Sequence, residues 1–559
     1  MSKRFSFLVL VILALGLPAA ARQAPAQTPV IADMVLVNGR VVTLDPDNPA
    51  AEAVAVKDGR ILAVGSSGAI RRLVGPSTQV LDVKGKLVLP GLIDAHLHFA
   101  NGGRSLASLT FRGVTSVEKV QEMVAARIRD LPPGETINGS EYDHTLFPGQ
   151  KWPGKEDLDK VAPSNAVVIH RVDGHSIWVN SEALRQSGIT KDTKSPFGGE
   201  IVKDAATGEP TGILKEAAAG LIKVRPASKP SSVKDDIERG LAYAAKLGLT
   251  GIHTSASLQE LELFKQLEAE GKLTLRVYAW LPIDELDRYI KMGIKQGQGD
   301  DLLRVGFQKA FIDGSLGSAT ALMFEPFADD PMKSGLPQYK EEAYDALIEK
   351  AHRNGYQTGT HAIGDKGVNW VLNAIERAER KYGMKNLRHR IEHAQNVIPS
   401  DVKRFKQLGV IASMQPTHCT TDMRFCEKRI GPERSKNAYI WKTLLDAGTA
   451  IAFGTDWPVE PLDPMRGLYS AVTRKNIEGD YPEGGWFPEQ KLTMEQSVRL
   501  YTLGSAYASF EEKTKGSIEP GKLADFTVLS RDIFRVDPRD VLTTDALYTI
   551  LGGKIVYQR

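Results

Sequence analysis

Four of the eleven histidines in this 559-residue chain stand at the ends of short apolar runs, together with one lysine and one aspartate. His96 and His98 end KLVLPGLIDAHLH, Lys309 lies in RVGFQKAFIDG, His361 in YQTGTHAIGD, His393 in RHRIEHAQ and Asp456 in AIAFGTDWP. Side chains two apart on a strand share a face, so His96 and His98 can grip one metal ion. Neutral imidazoles suit Zn²⁺ and similar cations, and a carboxylate beside such a site can take a proton from water. An ammonium cannot ligate, and inside a fold Lys309 needs a partner. Burial lowers a lysine pKa and frees the amine, which can combine with CO₂ into a carbamate of carboxylate character. This set supports metal-assisted addition of water.

Such residues need strands that end at one place. Strand-like runs alternate with amphipathic helices through the middle of the chain, the pattern of a parallel barrel. Its strands are expected in KLVLPGLIDAHLH and near 249–254, 273–279, 305–311, 356–361, 388–393, 409–414 and 450–455, with helices such as 341–353, 366–381 and 496–508 between them. The metal-type residues then ring the C-terminal mouth. Residues 31–88 read instead as short strands with turns at Asn38-Gly39 and Asp58-Gly59, and 510–559 repeats the style with a turn at Gly552-Gly553. The expectation is an α/β chain: a (β/α)₈ TIM barrel over 89–509, and a composite β-sandwich from 31–88 plus 510–559. A subdomain over 101–240 is inserted after the first barrel strand, because that stretch is too long for an ordinary loop.

Several longer segments carry a family resemblance: LPGLIDAHLHF, RVDGHSIWVNSEAL, FIDGSLGSATA, HAIGD, RIEHAQ, GTDWPV and GSIEPGKLADFTVL. Together they resemble the amidohydrolase superfamily, in the branch that holds N-substituted formamide deformylases. The resemblance implies a metal-dependent hydrolase acting on a non-peptide or N-acyl amide C–N bond of a small molecule, within EC 3.5. It implies two Zn²⁺ ions per chain, with carboxylated Lys309 as bridging ligand, His96, His98 and Asp456 on the first metal and His361 and His393 on the second. Asp456 is also the expected general base. His175 and Asp313 are substrate-facing by the same resemblance. Trp457, with Trp152, Trp280 and Phe311, hints at an apolar or aromatic substituent. Asp94 shares the face of His96 and is expected deeper in the barrel. His144, His170, His253, His352, His389 and His418 lack such a context and are read as structural.

Other classes fit less well. A one-metal deaminase of the same superfamily carries a Glu shortly after the fifth-strand His, whereas His361 is followed by Ala362, Ile363, Gly364 and Asp365. A non-catalytic exported metal- or solute-binding protein has no need of Asp456 as a base. Gly314 and Gly317 lack the lysine of a phosphate loop. The formal charge of +3 falls near +1 without Lys3 and Arg4, and no basic run points to nucleic acid or an anionic membrane. Residues 1–21 have a basic start, an apolar run shorter than a membrane span and Ala19-Ala20-Ala21, which read as a signal peptide. Export to a bacterial periplasm follows, with no stable membrane insertion afterwards and homo-oligomerisation left open. Cys419 and Cys426, the two cysteines, are expected to form one local disulfide in that compartment.

Overall fold

The computed structural model describes residues 30–132, 134–225 and 232–559; the expected signal peptide lies outside them. At the centre is an eight-stranded sheet of parallel neighbours: β1 (Leu92–Leu97), β2 (Leu249–Ser255), β3 (Arg276–Pro282), β4 (Leu303–Phe311), β5 (Thr358–Ala362), β6 (Arg390–His393), β7 (Ile411–Met414) and β8 (Ile451–Phe453). These runs are largely buried on both faces, as strands are when helices cover a closed parallel sheet. The helix Asp365–Tyr382 shows the cover: Val368, Val371, Leu372, Ile375 and Ala378 recur at helical spacing and are buried.

The seam between β8 and β1 is closed just past the strands, where Asp456 N donates to His96 O (2.7 Å) and His98 N to Trp457 O (2.8 Å). Gly454 permits this approach, since a Cβ there would stand 2.6 Å from His96 N. Asp94 completes the closure. Buried in the interior, it accepts from the Thr455 hydroxyl (2.6 Å) and from the backbone N–H of His96. The fold is therefore the expected α/β TIM barrel.

Both chain ends build the flanking β layers. A four-stranded sheet runs 60–65, 53–57, 34–37, 79–82, and a six-stranded one runs 554–558, 546–551, 526–529, 87–90, 40–42, 50–51. Met34, Leu36 and Val54 from one share a core with Val88, Phe526, Val528 and Ile550 from the other. Asp58-Gly59 and Gly552-Gly553 are hairpin turns, each with two positive φ values. Asn38-Gly39 is not, because Met34–Val37 and Arg40–Val42 part into different sheets. After β1 the chain forms helix Phe99–Ser105 and then a separate six-stranded sheet between Leu109 and Glu216. It rejoins the barrel at helix Val233–Lys246, which packs so closely on Phe99–Ser105 that a Cβ on Gly103 would meet Asp236 O at 1.8 Å. Among the described residues no helix is long and apolar enough to cross a membrane. Cys419 and Cys426 are free thiols. The expected disulfide is not formed: both are buried, Cys426 near Ser435 Oγ, and burial pushes the Cys419 thiol up to about 12.

Candidate active site

The strand ends deliver their polar groups to one point. His96 on β1 is fully buried; burial, then the neighbouring Lys309 ammonium, lowers its pKa to about 4. Its Nδ1 donates to Glu392 Oε2 at 2.6 Å, which leaves the lone pair on Nε2. Nε2 points to Asp456 Oδ1 at 3.5 Å, and His98 Nε2 reaches the same oxygen at 3.4 Å. His98 Nδ1 is held by Ser255 Oγ at 3.2 Å. The other oxygen, Asp456 Oδ2, lies 3.8 Å from His418 Nε2, and the His418 ring stacks on His393. Ligand atoms of His96, His98 and Asp456 lie within 4.8 Å of one another, as do those of His393, His418 and Asp456.

Two departures from strand geometry make this convergence. His393 has φ 72° and Asp456 φ 60°, a left-handed backbone that costs non-glycine residues about 1–3 kcal/mol and clusters at functional sites. At His393 it breaks the two-residue alternation, so that Glu392 and His393 both face His96, the rings of His393 and His96 standing 5.0 Å apart. At Asp456 the carboxylate turns into the mouth. Burial opposes its charge, but the nearby His98 Nε2 and the surrounding imidazoles hold the carboxyl well below the usual range.

Beneath the site is a fully buried brace. Glu392 accepts from Arg390 Nε (2.7 Å) and Nη2 (2.9 Å). Arg390 also donates to Ala95 O, Ser413 Oγ and His253 Nδ1. His393 Nδ1 meets Gln415 Oε1 at 2.8 Å. Such partners fix the tautomer of a ligating histidine. Lys309 is buried, its Nζ 3.4 Å from His96 Nε2 and near the Trp280 and Phe311 rings. Burial lowers its pKa to about 8.

A divalent cation fits this donor set. Asp456 Oδ1 and His418 Nε2 are buried with no hydrogen-bond partner among the described residues, a costly state for polar atoms that ion binding would relieve. Burial keeps the imidazoles of His361 and His393 well below their ordinary pKa, in the neutral form a metal needs.

A cavity of about 600 Å³ opens above, floored by His361, His393, His418 and Asp456 and walled by residues of the inserted sheet and its loops, among them Asp143, Arg171 and His175. His175 Nδ1 pairs with Glu216 at 3.0 Å; burial disfavours its charge, but the Glu216 carboxylate outweighs this and pushes its pKa up to about 9.

The chain matches the model of the amidohydrolase family over residues 79–557. It belongs to that family. The protein LONG AFTER FAR-RED 3 of Arabidopsis thaliana is 34% identical over 544 residues, covering 94% of this chain and 92% of its own. The N-substituted formamide deformylase of Arthrobacter pascens is 28% identical over 555 residues, covering 94% and 98%. An uncharacterized metal-dependent hydrolase from Pyrococcus horikoshii superposes with TM-score 0.72 at 29% identity, covering 90% of this chain and 99% of that one. The chain is a metal-dependent hydrolase of the amidohydrolase superfamily.

Several sequence-derived placements in this amidohydrolase are corrected. Asp313 is fully buried and, among the described residues, is not on the cavity wall: it accepts from the backbone N–H groups of Leu322, Ile363 and Gly364, and shapes the loop after β5. Trp457 packs on Phe99 and Tyr243 beside the seam. Trp280 stacks on His96, and Trp152 stacks on His144 beside a second cavity. None of Trp152, Trp280, Phe311 and Trp457 lines the cavity above Asp456. His361 Nε2 meets Gly314 O at 3.1 Å, and it is His418 that joins His393 and Asp456. Sequence reasoning passed over His418 because it follows MQP on a helix rather than ending a strand. Glu392 and Arg390 escaped it too, although their RIEH spelling next to His393 was the available signal.

Proposed function

We propose that this protein is an exported amidohydrolase that cleaves a non-peptide or N-acyl amide C–N bond of a small molecule. One observation carries the reading: a single carboxylate, Asp456, faces two groups of imidazoles at the floor of a cavity sized for a small ligand. His96, His98 and Asp456 would hold one divalent cation, and His393, His418 and Asp456, with His361 beside them, a second. Lys309, once carboxylated, would contribute a bridging oxygen between two Zn²⁺ ions; its burial and lowered pKa favour the free amine that this modification needs. When bound, such cations supply Lewis acidity and make water acidic enough to react near neutral pH.

The remaining work falls to the chain itself. Asp456 takes a proton from the attacking water on its carboxylate and delivers it to the departing nitrogen, so that an amine rather than an amide anion leaves. Its depressed pKa keeps it ionised at neutral pH, with the proton site open. The Glu392–Arg390 brace keeps the His96 proton on Nδ1. His175, with Nδ1 tied to Glu216, is left with Nε2 to orient a bound amide from the inserted side. The N-terminal 21 residues support secretion to a bacterial periplasm.

Amine release from a panel of small N-formyl and N-acyl amides, with and without added Zn²⁺, tests the reading. Zn²⁺-dependent release from at least one of them is expected. No release from any amide by metal-loaded protein overturns it.

A further inference from the structure

Most charged groups on the cavity wall have ion-pair or hydrogen-bond partners. Arg112 pairs with Glu141 and also donates to two backbone carbonyls, Arg171 and Arg424 are bound to Asp143, and Arg466 meets Glu478. Asp422 accepts from Tyr439 and Gln395. One carboxylate is left over. Glu460 lines the cavity, is only 5% exposed, and has no hydrogen bond or ion pair among the described residues. It sits four residues beyond Asp456, on a turn held by the Val459 N–H to Asp456 O bond and by Arg112 on the Val459 carbonyl. Its position is therefore fixed, and its distance along the chain from the scissile centre is short.

An unpaired carboxylate on a cavity wall is a place where a ligand's positive charge is favoured. The same cavity carries Phe425 and Tyr481, whose ring faces attract cations. We infer that Glu460 is a substrate-recognition residue, and that the cavity takes amides whose non-reacting arm ends in an alkylammonium group. This rests on the amide-hydrolase reading above for the identity of the reaction, but not for the site itself.

Two amides of matched shape test it on the metal-loaded enzyme, one ending in an ammonium and one in a neutral hydroxyl. The wild type should favour the cationic amide in kcat/KM by about 10- to 100-fold, the range of a hydrogen bond to a charged group. Glu460→Gln should bring the ratio near one, and Glu460→Lys should turn the preference toward a carboxylate-ended amide. Melting temperature serves as the folding control, and Glu460→Gln should melt no lower than wild type because it removes an unpaired charge. Calorimetry with butyltrimethylammonium, which cannot ligate a metal, reads the site independently of turnover. Binding that is lost in Glu460→Gln supports the inference even if no amide is cleaved, in which case only the hydrolytic reading falls. A wild-type ratio near one, a ratio unchanged by Glu460→Gln, or no ammonium binding by the wild type overturns it.

Discussion

Glu392→Gln is the sharpest probe of how the barrel interior prepares its ligands. Glu392 is fully buried and has two obligations, the Nδ1–H of His96 at 2.6 Å and the guanidinium of Arg390 at 2.7 Å. A glutamine has one acceptor oxygen and one donor amide. If its oxygen serves Arg390, its NH₂ faces His96 Nδ1, and the imidazole must move its proton to Nε2, the atom a metal requires. If its oxygen serves His96, the NH₂ opposes the Arg390 donors. In either case Arg390 remains charged in the interior, since a guanidinium is not deprotonated in proteins. Removing one partner of a buried pair costs about 3–5 kcal/mol, and disturbing a ligand's supporting partner weakens metal affinity about 10- to 100-fold, or about 1.4–2.7 kcal/mol. Thermal melting reads the first effect and Zn²⁺ titration the second. The double change Arg390→Met/Glu392→Gln separates them: it removes the stranded charge and should recover much of the stability, while metal affinity stays weak. Wild-type Zn²⁺ affinity in Glu392→Gln would refute this account of His96.

Three further outcomes are expected. Asp456→Asn keeps an oxygen near the imidazoles but cannot shuttle a proton, so kcat should fall by roughly 10²–10⁴ with metal content reduced only modestly; near-normal turnover at saturating metal would place the base elsewhere. His418→Ala should lower metal stoichiometry by elemental analysis while His96, His98 and Asp456 still hold an ion, and an unchanged metal count would make His418 a bystander. His389, bonded to Thr358 and His352 away from the cavity, has its pKa lowered by burial to about 3. It is neutral in the folded chain while the unfolded chain protonates near 6.5. Its contribution is therefore present above pH 6.5 and is lost as pH falls toward 3, by up to about 1.4 kcal/mol per pH unit. His389→Gln should flatten melting temperature against pH between 4 and 6, and an unchanged slope would show that other groups set it.

Much of the barrel was legible in the sequence because its strands are buried on both faces. Runs such as Leu92–Leu97 and Ile411–Met414 are buried throughout and mostly apolar, and the first carries the ligand-type His96 near its end. The β-rich ends were readable from alternation and paired turn residues, but Asn38-Gly39 shows the limit. A turn dipeptide states that the chain bends, whereas only the neighbours of Met34–Val37 and Arg40–Val42 decide whether the two strands pair or part.

Local spelling determined which residues have the chemistry to hold a metal: His96, His98, Lys309, His361, His393 and Asp456. Which of them meet was decided by tertiary structure, through contacts between residues hundreds of positions apart. The left-handed turns at His393 and Asp456 are held by the closed barrel rather than by their own sequence preference. They bring Glu392 beneath His96 and aim Asp456 at His418, a residue with no motif of its own. Packing likewise moved Asp313 and Trp457 off the cavity wall, since a buried carboxylate must find donors and an indole must find apolar cover. It left Glu460 on that wall without either.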